Sequence, residues 1–482
     1  MEISKDLSKN LRAIKEEVDG PKTFDLVNRD FEIGGKEVSL VFIDSFAKGD
    51  LLNKILEFLM ETEREEISVD ILKKLLNNRL PILEVTVVDK IDDLIDEVLT
   101  GPQALLIDGL EEAIILDART WMSRTPQEPE LEKATRGPED GFVETMLFNL
   151  QMIRRRIRDP KLRAEVIKVG QRSQTDTCVA YIDDIADTDL VEDIKDRLNN
   201  IDVDGLPLAD RTVEDYLVGD KLNPLPKVRY TNRADIASSH LLEGKICIIV
   251  DNSPTVLLLP ATLFDHTQTL EDYRQPPIPG TYTNLLRLAS IFISLFLPAL
   301  WLLFAYDPNW LPDVLQIIGP REASAIPLGF QFILATVGID LIRIASIQTP
   351  SSLATSLGLI GALMLGEFSV KVGLFAPEVI LYMAIAAISS FTIPGLEFAL
   401  TIKLFRLLLI IMVILFDGIG LILGSIVVFA IFAFSKSFGT SYLWPLIPFE
   451  WAALKTYLIR QSTLSLDQRR SNKYQAEDKE RK

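Results

Sequence analysis

Asp340 and Arg343 are ionisable side chains inside the apolar run Ile326 to Ile347, where charge is costly. At helical spacing they share a face with Thr336, and Gln331 adds another polar group. Three residues apart on one helix, they form an expected intramembrane ion pair that offsets part of the burial cost. Such a pair either ties helices together or serves the passage of ions, and spacing leaves both open. It also leaves open whether 326–347 crosses a membrane or re-enters it.

A second apolar run, Leu353 to Phe375, is punctuated by Thr355, Ser356, Gly358, Gly361, Ala362, Gly366, Glu367, Ser369 and Lys371. Small side chains three or four apart let helices approach closely, so Gly358, Gly361 and Ala362 are expected at a packing seam in the centre of a bundle. Several copies of Glu367 around one axis would form a carboxylate ring, one way in which cation pores are built. The plainer alternative is helix packing with Glu367 at the membrane boundary.

The upstream half offers less chemistry. Arg154, Arg155, Arg156 and Arg158 form a basic cluster in an otherwise acidic region. It is either a solvated helix face or a surface that pairs with acidic groups of a neighbouring subunit or with lipid headgroups. Asp183, Asp184, Asp187 and Asp189 fit a loop and helix start, where carboxylates favour the dipole, better than a metal site. Cys178 and Cys247 sit in strand-like apolar runs, without metal-ligand spacing to His240 or His266, and are expected as buried thiols in a reducing compartment. With no phosphate-binding glycine loop and no nucleophile elbow, neither an enzyme nor a bound cofactor is expected.

The elements that must position these residues fall into two halves. The net negative charge of the chain, -18 in all, lies entirely upstream of Thr281. That balance argues against nucleic acid, which needs a basic face to displace counterions. Ile3, Leu7, Leu11, Ile14 and Val18 predict an amphipathic helix at the start, with no signal-peptide core. Residues 1–118 then read as a first α/β subdomain, with Asp108-Gly109 as a hairpin turn. Residues 119–140, carrying Pro126, Pro129 and Pro138, read as a linker, and 141–280 as a second α/β subdomain. The expected fold class is two tandem α/β subdomains followed by an α-helical polytopic membrane domain.

That membrane domain covers 281–435, with five or six segments near 285–305, 326–347, 353–375, 377–393, 398–416 and 419–434, each close to the length that spans a bilayer. A tail, 436–482, follows. Arg287, Lys403, Arg406, Lys436, Lys455 and Arg460 would flank the cytoplasmic side if both termini face inward, which an even number of crossings allows.

Several separated stretches resemble one family. They are Arg136 to Glu144 with the arginine-rich helix after it, Tyr230 to Asp235, Leu241 to Gly244, Val250 to Pro254, Ile339 to Arg343 and Gly358 to Gly361. In this order they resemble the A subunits of GerA-type spore germinant receptors, over nearly the whole chain. Gly373 to Tyr382 and Tyr442 to Phe449 resemble one branch of that family, while Asn232 and Ala234 depart from its more usual Glu and Pro.

The resemblance implies a multi-pass protein of the spore inner membrane with its soluble half in the cytoplasm or spore core. It also implies a homo-oligomer, a pentameric ring, that releases ions in germination. By carry-over the glycine-punctuated helix lines the pore, with Thr355, Leu359, Ile360, Leu363, Gly366 and Glu367 as candidate lining residues. Ile360 and Leu363 would form an apolar constriction that gates by dewetting. Two other readings stand beside the channel: a secondary transporter, and a non-conducting platform that gathers other germination proteins.

Overall fold

The computed structural model describes residues 1–19, 22–47, 49–60, 85–118, 136–220, 222–307, 324–349 and 358–461. Most of the expected linker, Thr355 and the last part of the tail therefore lie outside the described residues. The chain divides into two compact units. Met1–Gly219 and Tyr230–Pro260 belong to the first; Asp220–Arg229 and the described residues from 261 to 461 belong to the second.

Two five-stranded sheets make up the first unit. In one, β1 (Leu26–Ile33), β2 (Lys36–Ile43), β3 (Val85–Val88), β4 (Gln103–Ile107) and β5 (Ala113–Leu116) lie in the order β1-β2-β4-β5-β3, with antiparallel pairing throughout. The central strand β4, Gln-Ala-Leu-Leu-Ile, is buried along its whole length because helices cover both faces of the sheet. The Leu7–Glu17 and Ile91–Thr100 helices press Leu7, Ile14, Leu94 and Val98 onto one face, and Gly49–Met60 sets Leu52, Ile55 and Leu59 on the other. Asp108-Gly109 makes the β4–β5 turn, and Gly109 takes the positive φ that an L side chain resists.

The second sheet repeats this plan. β6 (Leu162–Val169), β7 (Thr175–Ile182), β8 (Arg229–Thr231), β9 (Ile246–Val250) and β10 (Val256–Leu259) lie in the order β6-β7-β9-β10-β8, which is the first order again. The small polar clamps repeat too. Asn10 accepts from Ser4 N at 2.8 Å and donates to Ser4 O at 2.6 Å, and Asn149 makes the same two bonds with Val143 at the same distances. Asp108 accepts from Leu7 N at 3.2 Å at the start of the first helix, as Asp251 accepts from Met146 N at 3.0 Å at the start of the Met146–Arg154 helix. The first unit is therefore one α/β design used twice, each copy orienting its leading helix from the end of its fourth strand.

The second unit is helical. Pro277–Tyr306, Leu328–Gln348 and Leu396–Phe434 are each long and apolar enough to cross a bilayer, and Pro377–Phe391 is a shorter apolar helix. Leu396–Phe434 is not one rod. Asp417 leaves the helical region, with φ 47° and ψ -132°, and the chain folds back so that the Phe432 ring lies 5.6 Å from that of Phe405 and 6.4 Å from that of Phe398. Gly424 faces Leu409, and Gly420 lies against the Met412 carbonyl, an approach that a side chain would obstruct. The segments expected at 398–416 and 419–434 are thus the two antiparallel arms of this hairpin. Trp301, Phe332, Val379, Phe398, Leu409 and Val413 lie in the core of the unit.

The 220–229 stretch is bound into this unit by its own backbone. Thr401 Oγ1 donates to Pro224 O at 2.5 Å, Ser437 Oγ to Lys227 O at 2.6 Å and His266 Nε2 to Pro226 O at 3.1 Å. These carbonyls lie beside apolar helices, where an unpaired backbone group is costly.

Candidate membrane site

Residues 358–371 form the helix that carries most of the candidate lining residues. It is helical from Gly358, passes through a π-turn at Met364–Phe368, and ends before Gly373, whose φ of +71° halts it. Gly361 touches the neighbouring helix: a Cβ there would sit 2.7 Å from Ile342 Cδ1, so the approach depends on having no side chain. Gly358 and Gly366 face open space. Ala362 is exposed, as are Leu359, Ile360 and Leu363, at 64%, 56% and 42%. Glu367 and Lys371 pair at 2.5 Å, one turn apart on the same exposed side.

Below this helix, Gln331 acts as a pin. Fully buried, it donates from Nε2 to Ser324 Oγ and Ile326 O, both at 2.5 Å, and accepts from Ala376 N at 2.8 Å. One side chain thereby holds the chain on both sides of the 358–371 helix, a role that the residue's spacing in the sequence does not disclose.

Asp340 does not pair with Arg343. Its carboxylate accepts from Lys403 Nζ at 2.8 Å, across from Leu328–Gln348 to the first arm of the hairpin. The reason is geometric: a lysine stem on a facing helix brings its ammonium to the carboxylate while its methylenes stay in apolar surroundings. Arg343 is half-buried and forms no ion pair among the described residues. Lys403 and Arg406, expected among the cations flanking the cytoplasmic side, both lie within Leu396–Phe434 rather than at its ends. They lie two and three turns inside the helix that begins at Leu396, and Arg406 is only 3% exposed. Its Nη1 reaches Ser294 Oγ at 3.4 Å, and its Nε has no hydrogen-bond partner among the described residues. Sequence reading misses this group because Lys403 and Arg406 resemble ordinary flanking cations; their place within a long apolar run was the available signal.

Two members of the basic cluster turn inward. Arg154 is buried against Asp25, and Arg156 reaches both oxygens of Asp140 at 2.8 Å, so both are paired within this chain. Arg155 and Arg158 are exposed. The acidic run is structural: Asp187 caps Thr188–Asn199, Asp183 pairs with Arg163 at 3.2 Å and Asp184 with Lys161 at 3.0 Å. Cys178 and Cys247 are free and fully buried on neighbouring strands, and burial pushes both thiols up.

A double α/β unit joined to a bundle of apolar helices with buried charges defines a membrane-associated protein with a large soluble part. The family described as Bacillus/Clostridium GerA spore germination protein matches residues 12–472, and this chain belongs to it. Stage V sporulation protein AF of Bacillus subtilis (strain 168) is 43% identical over 94% of this chain and 92% of its own length. Spore germination protein KA of the same strain is 30% identical over 99% of this chain and 88% of its own. Among solved structures, the N-terminal domain of the A subunit of the Bacillus megaterium spore germinant receptor GerK3 is 27% identical. It aligns with a TM-score of 0.42 over 55% of this chain and 98% of that one. Stage V sporulation protein AF, spore germination protein KA and spore germination protein B1, all of Bacillus subtilis (strain 168), are named as germination or sporulation proteins, and none of these names denotes an enzyme.

Proposed function

We propose that this chain is a non-enzymatic membrane subunit of the spore germination machinery. In this reading copies of the 358–371 helix surround a path for monovalent cations. The observation that carries it is the state of that helix in one chain: Leu359, Ile360 and Leu363 are uncovered, and the Glu367–Lys371 pair sits on the same open side. An ion pair turned to lipid tails is costly, whereas neighbouring copies would cover the apolar residues and leave Glu367 facing an aqueous axis. Ile360 and Leu363 then form the closed constriction, and Gly358 and Gly366, open within one chain, admit the neighbouring helix. The family resemblance supports a pentameric ring. The hairpin at Asp417 adds a pair of antiparallel arms, and the family resemblance supports placing the soluble unit on the cytoplasmic or spore-core side.

The full chain reconstituted in potassium-loaded liposomes tests this. Ile360→Ala and Leu363→Ala should release potassium faster than the unaltered protein. If both variants leave the vesicles tight, the pore assignment is lost.

A second reading, a secondary transporter, draws support from Asp340, Lys403 and Arg406 inside the bundle. Flux that saturates with substrate and requires a counter-ion would favour it. A non-conducting assembly platform predicts no flux from any variant.

A further inference from the structure

We propose that the segment following the hairpin is a built anchor for an anionic lipid surface, made of Leu446, Ile447, Phe449 and Trp451, with Lys455 one turn along the same helix as Trp451 and Lys436 in the short ladder that precedes them. The second arm ends at Phe434, and the chain then makes the short ladder Lys436–Ser437 with Thr440–Ser441 and the Trp451–Leu458 helix. This region is fastened to one end of the bundle. Asn284 Nδ2 donates to Tyr457 O at 2.5 Å and Arg460 N to Thr281 Oγ1 at 3.0 Å, so the segment lies beside the first turns of Pro277–Tyr306. There the chain passes from polar to apolar surroundings.

The segment has an inner and an outer face. Tyr442, Leu443, Trp444, Leu454 and Tyr457 are buried, with Trp444 Nε1 donating to Glu450 Oε2 at 3.2 Å. On the outer side Phe449 is 68% and Trp451 60% exposed, their rings stacked 6.4 Å apart, with Leu446 and Ile447 also open. A rigid inner face holds these side chains out, as an interfacial anchor requires; amphipathic aromatic rings favour the headgroup level.

Charge selects the occupant. In a chain of net charge -18, residues 435–461 carry Lys436, Lys455 and Arg460 against one carboxylate, the exposed Glu450, with Lys455 one helical turn from Trp451. The neighbouring start of Pro277–Tyr306 also exposes Tyr282 and Leu285, so the apolar surface runs on into the flank of a membrane helix. Cations beside aromatic rings at that boundary fit anionic lipid headgroups.

The test uses the full chain in phosphatidylcholine vesicles that contain a minor fraction of brominated lipid, either phosphatidylglycerol or phosphatidylcholine. The signal is the emission lost on Trp451→Phe, which keeps an aromatic ring at the site. That component should be quenched by brominated lipid and protected from acrylamide. Brominated phosphatidylglycerol should quench it about twofold or more better than brominated phosphatidylcholine at equal fraction. The double substitution Lys436→Gln with Lys455→Gln should abolish this excess. Three results overturn the proposal: ready quenching by acrylamide with none by lipid, shielding from both, which would mean that a second copy or another protein covers the face, and equal quenching by the two lipids.

Discussion

The Arg154 guanidinium holds the Asp25 carboxylate through two bonds, Nε to Oδ2 at 2.5 Å and Nη2 to Oδ1 at 2.7 Å, with both side chains out of water. The pair joins the two α/β copies, since Asp25 precedes β1 and Arg154 ends the leading helix of the second. Phe24 N also donates to Ala164 O on β6 at 3.2 Å. Removing one partner leaves a buried charge unsatisfied. Arg154→Ala or Asp25→Ala should therefore destabilise the first unit by about 3–5 kcal/mol, read as a lower unfolding midpoint of the purified chain. A variant within about 0.5 kcal/mol of the parent would show that the pair contributes nothing.

Asp235 links stability to pH. Burial alone would raise its carboxyl, but the Arg233 guanidinium, bonded to it at 3.0 and 2.8 Å, outweighs burial and holds it below the ordinary carboxylate range. A depressed folded-state value means that the stabilisation is present above the unfolded pKa of about 4 and is lost as pH falls through the folded value. Asp235→Asn should thus be less stable than the parent at pH 7, and the gap should narrow as pH drops below about 4. A gap that stays constant across this range would refute the linkage.

Asp340 and Lys403 form a cross-helix pair that a double-mutant cycle can measure. Asp340→Asn or Lys403→Met alone leaves the other charge unmatched inside the bundle, so each should lower the thermal stability of the detergent-solubilised protein. The double variant should recover much of the loss. Additive single losses would show that the two groups do not couple.

The hairpin at Asp417 rests on two glycines. Gly424→Leu would place its Cβ 2.9 Å from Leu409 Cδ2, and Gly420→Val would drive into the Met412 backbone. Both should separate the arms and reduce the yield of folded protein, with Gly420→Val the more severe because a carbonyl cannot rotate away as a side chain can. Equal behaviour of Gly420→Val and the parent would mean that the arms are not packed in this way.

Local pattern made some of this protein legible in advance. The scarcity of charge beyond Leu285 marks the apolar helices, alternating runs mark the strands, and Asp108-Gly109 marks its turn, because each depends on residues close together in the chain. The family was also readable, through short stretches such as Tyr230 to Asp235 kept in order. The repetition of one α/β design was not. Asn10 and Asn149 do the same work, but their neighbours differ, and only the matching strand order brings the equivalence out.

Partner choice was decided by the tertiary structure alone. Spacing offers Arg343 to Asp340, yet packing supplies Lys403 from 63 residues away. The basic cluster suggests an outer surface, yet Arg154 turns to Asp25, 129 residues distant. Periodicity records which face of an element is apolar. Which charge a buried group meets depends on how separate elements are brought together, and in low-dielectric surroundings that meeting carries the larger energy.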